Sequence, residues 1–314
     1  MRLRHLIVLA VAYIVVGCHG SSLPNVSAPT AAMSEFSMVP AHAMPNMQPS
    51  AAELRASSFG PIHPFYAADY LAQHPELVPH AGNMTYHGGP VLGYPHQYLL
   101  FYGRTNARVD NTDDPDNIYG FGYYFLKGMQ GSTWLNTVTQ YSHIANSRSQ
   151  LRGGWYDPYH WPHNPIRSSD LAKEALLFVK TAKYDPQGNY IIMTPHGYIW
   201  PGYGKLCAFH VAFRTPSGTV AATLIPYVPD VSGCGRGTVN NPGIDDGVSI
   251  NIGHEQAEAE TDPRLNAWYG PGAAASNEIG DKCAWTDLHN TSFSSGRFPT
   301  QPLWSNAAVG CVNP

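Results

Sequence analysis

The sequence predicts an α/β (α+β) protein in which a mixed sheet supports one chemistry-bearing helix, within a single main domain stabilised by disulfides. Three observations lead there. Short apolar runs bounded by turn residues surround one clear helical stripe. A helix-compatible stretch at 245–260 carries His254-Glu255-Gln256-Ala257-Glu258, which puts His254 and Glu258 one turn apart on the same face. Four cysteines, Cys207, Cys234, Cys283 and Cys311, follow a hydrophobic leader, an even set for an exported chain.

Met1-Arg-Leu-Arg-His gives a basic start, and Leu6 to Val16 is an apolar run broken only by Tyr13. Together they read as an export signal, too short for a stable membrane span. Val15-Val16-Gly17-Cys18 has two readings: a bacterial lipoprotein box in which Cys18 is lipidated, or an ordinary leader discarded with Cys18. The organisation expected is a signal at 1–18, a flexible Ala/Ser/Pro-rich linker at 19–83 and a folded domain at 84–314.

Within the domain, Gln97 to Tyr102 reads as a buried strand ending at Gly103. Asp110, Asp113, Asp114 and Asp116 form an acidic loop whose spacing departs from a calcium-hand loop, so it reads as a solvated loop. Tyr119–Met129 and Ser132–Tyr141 suit consecutive helices, with Ser132 capping the second. Ser169 is the expected cap of a helix whose stripe is Leu171, Ala175, Leu176 and Val179, closed by Asp185-Pro186-Gln187-Gly188. Tyr190–Met193 reads as a central strand. Cys207–Phe213 and Val220–Tyr227 read as two more, joined through Thr215-Pro-Ser-Gly. Asn241-Pro-Gly turns the chain into the 245–260 helix, with Asp245 or Asp246 as cap.

The chemistry concentrates on that helix. His-Glu-x-x-His helices hold zinc through both histidines and use the Glu as general base; here the second His is Glu258. Glu278 comes twenty-four residues after His254 in Asn277-Glu-Ile-Gly-Asp281, a placement that resembles the third ligand of thermolysin-like peptidases. His254, Glu258 and Glu278 are therefore the candidate metal ligands, Glu255 the base, Asp281 the outer acceptor for a ring nitrogen, and Tyr269 the oxyanion partner. Glu260 and Asp262 read as acids solvating a helix end, His210 as a satisfied core or edge histidine, and His160 and His163 as parts of a surface aromatic loop. Asn25, Asn83 and Asn290 stand in Asn-x-Ser/Thr sequences, which are glycan acceptors only on a eukaryotic secretory route.

Several separated segments resemble the phosphate-induced (EXORDIUM-like) extracellular proteins of plants and a group of uncharacterised secreted bacterial proteins. They are Gly88-Gly-Pro-Val-Leu, Tyr98-Leu-Leu-Phe-Tyr-Gly, Trp134-Leu-Asn-Thr-Val-Thr-Gln-Tyr, Cys207-Ala-Phe-His, Gly247 through Glu258, Asn266-Ala-Trp-Tyr-Gly, Glu278-Ile-Gly-Asp-Lys-Cys and Phe298 through Ala307. The resemblance spans roughly residues 88 to 312 and implies an exported protein with a zincin-like sheet, active-site helix and metal site. Zinc is the expected ion. Carboxylate in place of imidazole hardens the ligand set and keeps manganese and calcium in view.

The expected function is a secreted metal-dependent hydrolase of the gluzincin-like peptidase type, acting on a peptide or protein. The alternative, favoured by the growth-related roles of the plant proteins, is a non-catalytic extracellular or cell-wall binding or signalling protein on the same scaffold. The chain shows no basic run or dense Lys/Arg cluster, so nucleic acid is not an expected partner. Three cysteine pairings are formally open; Cys207–Cys234 with Cys283–Cys311 is preferred because each closes a local loop. Thiolate zinc is disfavoured by the lack of Cys-x-x-Cys spacing.

Overall fold

The computed structural model describes residues 40–79, 81–103, 112–141, 143–145, 149–272 and 277–314. The leader, Cys18, Asn25 and Asp110 lie outside these residues. In chain order the first elements are β1 (His42–Ala43), α1 (Ala51–Ala56), β2 (Ser58–Tyr66), α2 (Ala68–Gln73), β3 (Thr85–Tyr86), β4 (His96–Phe101), α3 (Ile118–Met129) and β5 (Gln150–Tyr156). Then come α4 (Ser168–Ala182), β6 (Gly188–Met193), β7 (Leu206–Thr215), β8 (Gly218–Ile225), α5 (Asp246–Thr261), β9 (Trp268–Tyr269), β10 (His289–Phe293), β11 (Gly296–Thr300), β12 (Leu303–Ser305) and β13 (Gly310–Val312).

A seven-stranded mixed sheet in the order β1-β5-β4-β6-β8-β7-β2 organises the chain. The run from β1 to β8 pairs in parallel, whereas β7 is antiparallel to both β8 and β2. Parallel strands need cover on both faces, and the sequence supplies apolar side chains to both. Tyr98, Leu100, Tyr190 and Ile192 pack with Leu171, Ala175, Leu176 and Val179 of α4. Leu99, Phe101, Ile191 and Met193 pack in the opposite layer with Phe125 of α3 and Val248 and Ile252 of α5.

Several expectations are corrected in detail. The acidic loop is not simply solvated: Asp114 is fully buried, and its carboxylate accepts the Ile118 N–H at 2.7 Å and the Tyr119 N–H at 3.3 Å. It closes the donors that the first turn of α3 leaves open. At α4 the N-cap residue is Arg167, whose N–H the third helical residue, Asp170, accepts at 2.9 Å, while Ser169 lies inside the helix. Ser132 does cap, accepting the Leu135 N–H at 3.1 Å, but it introduces a 3₁₀ turn at Leu135–Gln140 instead of an α-helix. Neither Asp245 nor Asp246 caps α5 with its side chain; Asp246 instead accepts the Val239 and Asn240 N–H groups at 2.8 and 2.7 Å.

The largest correction concerns residues 58–66, which composition assigned to the linker. They form β2, the sheet's edge strand, with His63 opposite His210. Pro61 and Pro64 obscured it, since proline is unwelcome in a strand except at edges and bulges. The ladder is irregular between Phe59 and Ile62 and again between Phe65 and Tyr66. Ordered structure thus begins before residue 84, with β1 and α1 also upstream of it.

Disulfides join Cys207 to Cys234 and Cys283 to Cys311, across sequence separations of 27 and 28 residues. Loops of that length confer about 3–4 kcal/mol each by constraining the unfolded chain. Among the described residues no helix is long and apolar enough to cross a membrane.

Candidate metal centre

Every residue of α5 is buried, including its polar ones. Two glycines fit the helix to its surroundings. A Cβ on Gly247 would fall 2.0 Å from the Cys234 carbonyl oxygen, so the helix start lies directly against the disulfide loop. A Cβ on Gly280 would meet His254 Nδ1 at 2.7 Å and Glu258 Oε1 at 2.9 Å. The turn that carries Glu278 and Asp281 therefore touches the helix only because position 280 has no side chain. Cys283, just beyond, ties that turn to β13 through Cys311.

Residues from α5, the 277–281 turn, β7 and β2 converge here. His254 Nε2 lies 2.9 Å from Glu258 Oε1 and 3.6 Å from Asp281 Oδ1, and the Asp281 N–H donates to Glu258 Oε1 at 3.0 Å. Glu278 turns the other way: its Oε2 is 2.6 Å from His63 Nδ1, and its Oε1 is 3.8 Å from His210 Nε2. His210 Nε2 donates to the Asp262 carbonyl at 3.3 Å, which leaves Nδ1 as acceptor, 2.9 Å from Glu255 Oε2. His210 Nδ1 is also 3.7 Å from Glu258 Oε2, so the two halves of the cluster adjoin.

Two groups thus emerge whose ligand atoms could share one ion: His254, Glu258 and Asp281, and His63, His210 and Glu278. His210 with Glu255 and Glu258 forms a third, overlapping group. The predicted pair His254 and Glu258 is together, with Asp281 beside it. Glu278 stands in the neighbouring group, its nearest partner being His63. Tyr269 is stacked on His87 at 3.6 Å and 5°. Glu260 and Asp262, expected to solvate a helix end, are fully buried. So is His210, read as a satisfied histidine: both its ring nitrogens are engaged, Nδ1 with Glu255 and Nε2 with the Asp262 carbonyl. His160 is likewise buried, 2.6 Å from Asp157 and close to the buried Glu174, while His163 pairs with Asp170 at 2.8 Å.

The electrostatics stem from burial without compensating cations. Burial, reinforced by Glu258, holds the Glu255 carboxyl well above its usual range. Burial and then Asp281 push Glu258 to about 7, against the pull of His254. Glu278 is raised well above normal by burial, then by Glu258 and Asp262. Burial opposes charge on His254, yet Glu258 and then Asp281 outweigh it and hold the imidazolium well above its usual range. Burial depresses His210 to about 3 and carries His63 well below normal, His210 adding to the latter. Protons, in effect, neutralise this cluster, and a cation binding there would displace them.

The donor chemistry suits such a cation. His63 Nε2, both ring nitrogens of His254, Glu255 Oε1 and Glu278 Oε1 are buried with no aligned hydrogen-bond partner. Buried polar atoms are nearly always bonded, and exceptions mark functional sites or absent ligands. His254 Nε2 and Glu258 Oε1 stand at an ion-pair distance of 2.9 Å; two ligands of one tetrahedral ion stand about 3.4 Å apart, so the pair would part by about half an ångström to hold one.

His63 and Phe65 escaped the sequence reading altogether, because the prolines between and around them broke the alternation that would have marked a strand. Phe65 stacks on the His254 ring at 3.7 Å and on Trp285 at 4.6 Å.

No family model matches the chain, and no solved structure matches it. Protein EXORDIUM-like 5 of Arabidopsis thaliana is 26% identical over 267 residues, covering 70% of this chain and 73% of that protein. Protein EXORDIUM-like 3 of the same plant is 28% identical over 172 residues, covering 40% of this chain and 49%, about half, of the relative. The chain is a distant homologue of the plant EXORDIUM-like proteins.

Proposed function

We propose that the cluster binds a divalent cation, zinc in the first instance, and that the protein is an exported metal-dependent hydrolase acting on peptide bonds, with a zincin-like arrangement of sheet and helix. One observation carries the reading: His254 Nδ1, Glu255 Oε1 and Glu278 Oε1 are buried with no hydrogen-bond partner, and His254 Nε2 faces the carboxylates of Glu258 and Asp281. His254, Glu258 and Asp281 would hold the ion, with Glu278 facing them from the His63–His210 side. A cation in such a set supplies Lewis acidity toward a carbonyl oxygen. Glu255 has the position of a general base. As the site stands its Oε2 carries the proton given to His210 Nδ1; a bound cation would favour release of that proton, and the resulting carboxylate would accept a proton from the attacking water through the unengaged Oε1 and return it to the leaving amine. The two disulfides and the leader sequence support export.

Complete burial favours a second reading, a structural cation site in a non-catalytic extracellular protein, and the same experiment separates the two. The full chain, purified without chelator, should carry about one divalent ion by mass spectrometry and lose it on His254→Ala. Glu255→Gln should keep the ion and lower peptide hydrolysis by about two orders of magnitude or more. Absence of stoichiometric uptake defeats both readings. Tight uptake with no cleavage of a broad peptide library, either by the intact chain or by chain from which β2 has been released, decides for the structural site.

A further inference from the structure

His254, Glu255, Glu258 and Glu278 are each no more than 1% exposed, so as the chain is folded no substrate can reach them. The cover is β2. His63 lies over the His210 ring at 3.9 Å and reaches Glu278. Two residues on, Phe65 fills the slot between the His254 and Trp285 rings, stacked on both. Trp285 also donates its indole N–H to the Tyr66 carbonyl at 2.8 Å and forms part of the wall of a surface cavity of about 480 Å³, with Asp69 and Arg236. Two stacked rings, Trp285 and then Phe65, therefore stand between this cavity and His254.

Three further features set β2 apart from the strands it joins. It is an edge strand, replaceable without breaking the sheet's interior. Its ladder is interrupted twice, and Pro61 and Pro64 bring no N–H to it. It also lies upstream of residues 88 to 312, the stretch that carries the family resemblance, whereas α5 and the 277–281 turn lie within that stretch. The donors on α5 and the 277–281 turn thus come from a different part of the chain from their cover, which itself contributes His63.

We infer that β2 occupies a peptide-binding groove: it is an intramolecular extended segment laid antiparallel along β7, and its departure opens the centre. The ligand class is an extended peptide that adds to the β7 edge through main-chain hydrogen bonds. It would place an aromatic side chain in the slot between His254 and Trp285. The catalytic consequence rests on the hydrolase reading; the groove itself does not.

The test uses the full chain with a protease recognition sequence inserted between Leu77 and Ala81, so that cleavage leaves β2 held by non-covalent contacts alone. The probes are a fluorescent synthetic peptide with the sequence of residues 57–67 and a quenched fluorogenic peptide library. The uncut chain should exclude both. The cut chain should bind the peptide one to one, and the same peptide carrying Phe65→Ala should bind about tenfold more weakly. Hydrolysis should appear on cutting, and should also rise in an uncut chain carrying His63→Ala with Phe65→Ala. Peptide binding without hydrolysis keeps the groove and removes the hydrolase reading. A cut chain that takes up no peptide, or that unfolds, makes β2 an integral strand and overturns the inference, as does uncut protein that hydrolyses the library as fast as cut.

Discussion

Two buried polar regions share α5, within two turns of one another, and they are completed in opposite ways. Toward the sheet, Asn189 donates to Gln256 Oε1 at 2.8 Å and Gln256 donates to Glu260 Oε1 at 2.9 Å. Ser149 donates to the same Glu260 oxygen at 3.0 Å, and Thr223 donates to Asn189 Oδ1 at 2.9 Å. Neutral donors answer Gln256 Oε1, Glu260 Oε1 and Asn189 Oδ1, with Glu260 Oε2 left without a partner, and the set ties the helix to β6 and β8. Toward β2, ionisable groups face one another: His254, Glu255, Glu258, Glu278 and Asp281, with several atoms unsatisfied. A hydrogen-bonded network pins a helix in place. A cluster of four carboxyl groups and their imidazoles calls for more positive charge than His254 and the neighbouring Lys282 bring. The two regions differ in what they still require, and that difference assigns one to architecture and the other to binding.

The most damaging change should be on the β2 side. Without added metal, His254→Ala removes the positive partner of Glu258 and Asp281 inside the core, and breaking a buried charged pair costs about 3–5 kcal/mol. Urea unfolding of chelator-stripped protein measures it. A loss below about 1 kcal/mol would mean that the acids are adequately served without His254, and the contrast between the regions would collapse.

Gln256→Ala attacks the other region. It strips a partner from both Asn189 and Glu260, and leaving buried groups unpaired costs about 2 kcal/mol in all. Metal uptake should stay at the wild-type level, because neither Asn189 nor Glu260 belongs to the candidate centre. Stability and metal content measured together on this variant and on His254→Ala therefore sharpen the comparison. Parallel loss of metal in both would show that the regions are one.

Gly280→Ala probes the contact between turn and helix. The added methyl falls within 3 Å of His254 Nδ1 and Glu258 Oε1, and overpacking of this kind costs about 1–2 kcal/mol. The turn should shift outward and take Asp281 with it, weakening metal affinity more than stability. Isothermal titration with zinc reads the first and urea unfolding the second. Unchanged affinity would remove Asp281 from the ligand set.

Legibility in the sequence divides along the same line. The strands from Gln97, Tyr190, Cys207 and Val220 were readable because a central sheet needs compact apolar runs, and β4, β6, β7 and β8 are such runs. The pairing of His254 with Glu258 was readable because helical spacing fixes it. Asp281 beside them was readable only as an analogy, since a turn reaching α5 past Gly280 is a tertiary event. Glu260 and Asp262 misled because carboxylates usually mark solvent, and no periodicity reveals a helix buried on every side. His63 was out of reach: its strand carries two prolines within a compositionally linker-like stretch, and its meeting with Glu278 spans 215 positions of sequence.

A pH-dependent effect lies at the amino end of the same helix. Asp245 is pushed to about 7 by burial, then by Asp116, Asp114 and Asp246, and its Oδ1 has no hydrogen-bond partner. The unfolded carboxyl titrates near 3.9. Between about pH 4 and 7 the folded chain therefore holds the proton more tightly than the unfolded one. The contribution of Asp245 to stability is then fullest below pH 4 and declines as the pH rises to about 7, where the folded group also ionises. Asp245→Asn is uncharged throughout, so its stability profile should lack this decline. Variant and wild type should coincide near pH 4, and the variant should gain up to about 4 kcal/mol by pH 8. Urea unfolding at a series of pH values makes the measurement. Because Asp245 lies away from His254 and Glu258, zinc uptake should be the same in both proteins. A variant that is less stable at pH 8 would mean that the Asp245 charge serves the helix amino terminus instead of burdening it.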